Sequence, residues 1–197
     1  MSPIKTVLEV KNLKTCLPYK DRQVLVVNDV SFRVEPGENL GIFGESGSGK
    51  SLVAMSLMGL VTPPGKVTGE VVVRGQNLAA HPELYNSLRG KSISMIFQEP
   101  RAMVNPLFTV GRHFSEILGW HFKMPRAQAL TRAGEMLDEV GLDGDVLGLY
   151  PHELSGGILQ RVLIALALCC EPALVIADEP ATSLDVTVQA QVMACFR

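Results

Sequence analysis

Apolar and polar positions split this chain into an early part of short apolar runs and a later part with helical spacing. Val7-Leu8-Glu9-Val10 alternates and predicts an edge-type strand. Val24 to Val27 and Val30 to Val34 bracket Asn28-Asp29 and read as strand material ahead of the Pro36-Gly37 turn. Glu38 to Phe43 is a short apolar run and predicts a buried strand. Ser51 to Met58 has helix-forming residues and no proline, so a helix is predicted there, with Thr62-Pro63-Pro64-Gly65 closing that region. Val67 to Arg74 predicts a further strand, with Gly75-Gln76-Asn77 as its turn. Leu84 to Leu88 predicts a short helix, and Ser92 to Phe97 another strand that ends at Gln98-Glu99-Pro100.

From about Thr109 to Cys170 the pattern is helical. Leu130, Ala133, Leu137 and Val140 fall close to one face, and Gly141 suits the position just past a helix end. Ser155 is a candidate N-cap for a helix from about Ile158 to Cys170. Ala173 to Ala177 predicts a buried strand ending in Asp178-Glu179. The reading is an α/β core with a helical subdomain inserted in it.

The predicted strand at Glu38–Phe43 and the helix at Ser51–Met58 flank Gly44-Glu45-Ser46-Gly47-Ser48-Gly49-Lys50-Ser51. This fits G-x-x-x-x-G-K-[ST], a phosphate-binding loop. Glycines let backbone N–H groups approach a phosphate, and the following helix points its positive end at the same anion. Lys50 adds a full charge, and the Ser51 hydroxyl suits Mg²⁺. The plainer alternative, a glycine-rich surface turn, does not need the strand and helix around it. Asp178 at a strand end is what a Mg²⁺ site beside such a loop requires, and Glu179 suits an attacking water. In isolation, two acids in an ordinary strand-to-loop turn explain the same residues equally well.

Composition narrows the class. The 197 residues are 47% hydrophobic and 19% charged, with a formal net charge of −2. That suits one globular domain and offers no general basic field for nucleic acid. The four cysteines, Cys16, Cys169, Cys170 and Cys195, lack metal-ligand spacing and read as reduced thiols of a cytosolic protein. No signal peptide and no run near the ~20 apolar residues of a membrane span is expected, so any membrane role is through a partner.

Together the segments resemble the ATP-binding cassette family, the nucleotide-binding subunits of ABC transporters, from about Val7 to Phe196. Gly44 to Ser51 matches the Walker A loop, Gln98 the Q-loop glutamine, Leu154-Ser155-Gly156-Gly157 the signature motif, Leu174 to Asp178 Walker B, Glu179 the catalytic glutamate and Ser183-Leu184-Asp185 the D-loop. Gln98-Glu99-Pro100 with Asn105-Pro106, Tyr150-Pro151-His152-Glu153-Leu154, Ala177-Asp178-Glu179-Pro180 and Asp185-Val186-Thr187-Val188-Gln189-Ala190-Gln191 are similar to the peptide/nickel importer subgroup.

The resemblance implies a P-loop NTPase fold of ABC type with an N-terminal antiparallel β portion. It implies one domain over 1–197: a strand-rich core at 1–108, a helical subdomain at 109–170, and the Walker B strand, D-loop and next helix at 171–197. ATP and Mg²⁺ would be the ligands. Gly44, Glu45, Ser46, Gly47, Ser48, Gly49, Lys50 and Ser51 would bind phosphate, with Ser51 also on Mg²⁺. Asp178 would hold the Mg²⁺ shell through water, Glu179 would act on the attacking water, and Gln98 would sense γ-phosphate and Mg²⁺. Ser155, Gly156 and Gly157 would cover the nucleotide on a second, same or different, ATPase subunit. Further partners implied are transmembrane permease subunits and, indirectly, an extracytoplasmic solute-binding protein, with no nucleic acid. The place implied is the cytoplasmic face of the membrane, peripherally. The function implied is ATP hydrolysis energising uptake of peptides, nickel or a related solute.

Departures from the family pattern set further expectations. The chain ends at Arg197 and its histidines, His81, His113, His121 and His152, all precede Walker B, so a truncated cassette lacking the switch histidine is expected. A nucleotide-binding fragment with little ATPase activity is therefore one alternative. A soluble, non-transport cassette is another, against which stand the absence of sustained heptads and of a basic stripe. Ile158-Leu159 follow the signature where the family usually has Gln or Met and then a polar or basic residue; they would weaken a polar contact to the opposite nucleotide or equally be a neutral variation of the subgroup. The adenine-stacking aromatic falls near Leu17, with Tyr19 as a substitute. Ala181 replaces a commoner threonine or serine. His152 is read as a turn or surface residue, Cys169-Cys170 as small apolar helix residues, and Met55 and Met58 as core filler. Trp120 and Phe122 suit partner contact and core packing equally.

Overall fold

The structure, a computed structural model, describes residues 6–180 and residue 189. Ala181, the D-loop residues Ser183-Leu184-Asp185, the subgroup phrase around them (Gln189 apart) and Cys195 lie outside the described residues. Two compact units, Met1–Arg89 and Gly90–Arg197, make up the chain.

The first unit is built on an antiparallel sheet in the order β2-β1-β3-β4. Its strands are β1 (Leu8–Tyr19), β2 (Arg22–Val34), β3 (Lys66–Val73) and β4 (Gln76–Asn77). Leu8–Val10 is thus part of an inner strand, paired on both sides, and not an edge. Alternation reports that one face is buried and says nothing about how many neighbours a strand has. The two predicted runs around Asn28-Asp29 are one strand. The pairing of β1 with β2 shifts register between Val10 and Leu13, where Asn12 takes φ 50° and donates through Nδ2 to Asp29 Oδ1 at 2.9 Å. The polar pair marks a bulge rather than a turn. Gln76-Asn77, read as a turn, forms the short returning strand of a hairpin.

The predicted strand at Glu38–Phe43 does not form. Residues 38–43 carry no strand pairing among the described residues, and Leu40, Ile42 and Phe43 are exposed, Phe43 by 93%. An apolar run becomes a buried strand only where neighbouring strands take up its backbone N–H and C=O groups, and no described strand does so.

Helix α1 (Lys50–Leu57) packs on β1 and β2. The Ser56 hydroxyl donates to Leu52 O at 2.6 Å, so the buried contact at 2.8 Å with Thr15 has Thr15 Oγ1 as donor. The end of α1 is closed three ways. Gly59 N donates to Ser56 O at 3.1 Å and Leu60 N to Met55 O at 2.8 Å, the paired bonds of a Schellman cap. Gly59 has φ +62°, and a Cβ there would come within 2.6 Å of the Tyr85 ring, so only glycine fits. Arg89 donates to Met58 O and Gly59 O at 2.8 and 2.7 Å, placing its charge at the negative end of the helix. Met58 is buried as expected, while Met55 is half-buried. The short helix α2 (Tyr85–Leu88) forms where predicted.

The second unit packs α3 (Val110–Phe122), α4 (Arg126–Glu139) and α5 (Gly156–Leu168) with a two-stranded parallel pair, β5 (Ile93–Ile96) and β6 (Leu174–Ala177). Its core includes Ile96, Phe114, Leu118, Ala133, Leu137 and Leu159. On α4 the buried set is Ala129, Ala133, Met136 and Leu137, so the apolar face is rotated slightly from the predicted one and Leu130 is half-buried. Gly141, with φ 69°, ends this helix through Gly141 N to Asp138 O and Leu142 N to Leu137 O, both 2.9 Å. Strand β6 is half-buried rather than buried. Trp120 is 74% and Phe122 44% exposed, which rules out core packing for Trp120. Cys169 and Cys170 are buried just past the end of α5, and Cys16, Cys169 and Cys170 are free thiols.

Candidate nucleotide site

The glycine loop lies in the first unit, between residue 43 and α1. Ser46-Gly47 form its turn, closed by Ser48 N donating to Glu45 O at 3.2 Å. Gly49 is the N-cap of α1 with φ +96°, a conformation other residues rarely take, and its carbonyl accepts from Val53 N at 2.9 Å. The Lys50 ammonium folds back over the loop and donates to Gly44 O at 2.8 Å and Glu45 O at 2.9 Å. Residues 44–48 and Ser51 are exposed, so loop N–H groups, the lysine charge and the Ser51 hydroxyl stand at one accessible helix N-terminus.

Gln98, Asp178 and Glu179 meet in the second unit for a reason of register. The parallel ladder pairs Ile96 with Ala177. Gln98 and Glu179 each follow two residues later, and Asp178 N donates to Ile96 O at 2.9 Å, extending the ladder beyond the strands. The Gln98 amide then donates to Glu179 Oε2 at 2.9 Å. Carboxyl ends of parallel strands are where α/β folds gather ligand-facing groups. Glu179 has φ 49°, an unusual conformation for a residue with a Cβ.

Ser155 caps α5 as expected, its hydroxyl accepting from Ile158 N at 3.4 Å. The helix begins at Gly156, two residues before the predicted start, so Gly156 and Gly157 form its first turn. Leu159 is wholly buried in the core and Ile158 half-buried. Of the two readings of Leu159, burial favours neutral variation: a fully buried side chain reaches no opposing nucleotide. Tyr19 is exposed by 54%, with Lys20 and Arg22 at 5.6 and 5.9 Å from its ring, while Leu17 is half-buried. His152 is exposed and stacks on Tyr150, in keeping with a surface turn.

Sequence reasoning passed over Gln160 and Arg89. Gln160 is a buried amide on an otherwise apolar helix face, and that mismatch is its signal. Arg89 carries no local pattern, because its partners at Met58 and Gly59 are far away in sequence.

Among the described residues no cluster of three or more His, Cys, Asp or Glu could cage a metal. Ser51 and Asp178 supply hydroxyl and carboxylate oxygens, the donors a hard cation takes, and Mg²⁺ is commonly bound by one or two carboxylates together with substrate phosphates. No helix among the described residues is long and apolar enough to cross a membrane.

Comparison with known proteins agrees with this arrangement. The family model described as ABC transporter matches residues 27–182. The oligopeptide transport ATP-binding protein OppD of Salmonella typhimurium is 46% identical over 97% of this chain and 58% of its own length. AppD of Bacillus subtilis, also described as an oligopeptide transport ATP-binding protein, is 45% identical over 98% of this chain and 61% of its own. The chain thus spans somewhat over half the length of these relatives. Among solved structures, the dimeric post-hydrolysis ATP-binding cassette MJ0796 bound to ADP and Pi superposes with a TM-score of 0.86 at 27% identity, covering 95% of this chain and 80% of that one. With its glycine loop, its parallel strand pair and these matches, the chain belongs to the ABC transporter family.

Proposed function

We propose that this chain binds and hydrolyses ATP to energise uptake of peptides, or of a related small solute such as nickel, through a membrane importer. The observation that carries the reading is the 46% identity along 97% of the chain to a protein described as an oligopeptide transport ATP-binding protein. The local geometry supports the chemistry. Lys50 and the N-terminus of α1 would bind the phosphates of ATP, with Gly44 to Gly49 wrapping them. Glu179, held by Gln98, would orient the attacking water and accept its proton. Mg²⁺ would supply charge neutralisation at the phosphates when bound: in the first unit Ser51 is a proposed ligand of it, and in the second Gln98 and Asp178 are.

Ser155, Gly156 and Gly157 would bind the nucleotide of a second ATPase subunit, as the family resemblance implies; the exposed, Ser155-capped start of α5 suits an anion at that end. The division into a strand-rich core at 1–108, a helical subdomain at 109–170 and a closing segment at 171–197 belongs to the same proposal. So do permease subunits as membrane partners, a solute-binding protein acting through them, and a peripheral place at the cytoplasmic face.

The test is Glu179→Gln in the complex assembled with its membrane subunits. ATP binding is retained and steady hydrolysis falls by about 100-fold or more. Unchanged hydrolysis would remove Glu179 from the chemistry.

A further inference from the structure

Gln160 sits in the second turn of α5, is 1% exposed, and lies between Leu159 and Val162 of the core. Its Nε2 donates to Pro180 O at 3.0 Å. Its Oε1 is buried and has no hydrogen-bond partner among the described residues. A half-satisfied buried amide is a poor choice for core stability, since an apolar side chain of the same shape leaves nothing unpaired. The bond to Pro180 is what distinguishes glutamine from leucine or methionine here.

Pro180 directly follows Glu179, whose φ of 49° is seldom adopted by residues with a Cβ. Proline has no N–H, so its carbonyl is the only backbone group through which that residue can be tied. The turn is therefore fixed on both sides: Asp178 N donates to Ile96 O at 2.9 Å, and Gln160 holds the Pro180 carbonyl. Between these two ties stands the carboxylate that accepts from Gln98.

We propose that Gln160 is a positioning residue for Glu179. It keeps the left-handed turn that presents the carboxylate to Gln98 and to the attacking water. It also joins the helix begun by Ser155-Gly156-Gly157 to the hydrolytic carboxylate of the same chain. This rests on the roles proposed above for Glu179 and for the start of α5.

The experiment compares Gln160→Met, Gln160→Glu and Glu179→Gln in the assembled complex. Gln160→Met removes both the tether and an acceptor that has no partner among the described residues. Its kcat should fall about tenfold while KM for ATP stays within about twofold, as for lost positioning rather than lost binding. Its Tm should equal or exceed that of the parent. Gln160→Glu has a donor only when protonated, so the ratio of its kcat to that of the parent at the same pH should rise toward one as pH falls, the protonation of Glu179 being common to both. An unchanged kcat in Gln160→Met, with Glu179→Gln inactive, would overturn the inference alone. A joint fall of Tm and kcat would make Gln160 a core residue only and overturn it equally. Full turnover in Glu179→Gln would instead overturn the site reading, and this inference with it.

Discussion

The Gln98 side-chain amide donates to the Glu179 carboxylate across 2.9 Å, and the parallel register of β5 and β6 sets that pair side by side. The bond orients the carboxylate without neutralising it. Gln98→Ala should therefore lower kcat by about 10- to 100-fold with a smaller change in ATP affinity, since it loses the hold on Glu179 and, on the proposed reading, a contact to Mg²⁺. Steady-state hydrolysis beside equilibrium ATP binding checks this.

Lys50 spans Gly44 O and Glu45 O on an exposed loop, so its removal costs the fold little. Its loss should fall on ATP. A ligand that binds only the native state stabilises it by about 2.7 kcal/mol at a hundred times its Kd. Thermal unfolding with Mg-ATP should show an upward shift for the parent chain and a much smaller one for Lys50→Ala, with both melting alike when ATP is absent.

Gly59 ends α1 where φ is +62° and the Tyr85 ring leaves no room for a Cβ. Gly59→Ala combines a strained backbone with a steric clash and should destabilise by about 1–3 kcal/mol. Denaturant unfolding should report a lower midpoint with an unchanged slope.

Thr15 donates to Ser56 in a buried bond between β1 and α1. Thr15→Val keeps the shape and removes the donor, at a cost of about 1 kcal/mol. The same unfolding assay checks it, and ATP affinity per folded molecule should not change.

Much of the site could be read from the sequence because its signals are local. The helix after the glycine loop, the Ser155 cap and the Asp178-Glu179 strand end are defined by residues within a few positions of one another and form close to where expected, while the strand expected before the loop does not. Helix α4 and its Gly141 end follow from periodicity and one glycine for the same reason. What was misread depends on distant partners. Val7–Val10 looked like an edge because alternation does not count neighbours, yet β1 lies between β2 and β3. Glu38–Phe43 looked like a strand, but no described strand pairs with it. The tether from Gln160 to Pro180 spans a helix, a turn and a strand, and only the polarity of one residue in an apolar helix hinted at it.

Uptake of a labelled oligopeptide into vesicles carrying the assembled importer, with ATP on the side of this subunit, tests the account most directly. The account predicts ATP-dependent accumulation that Lys50→Ala and Glu179→Gln each abolish. Accumulation that persists in both variants, or ATP hydrolysis that neither peptide nor nickel stimulates, would contradict it.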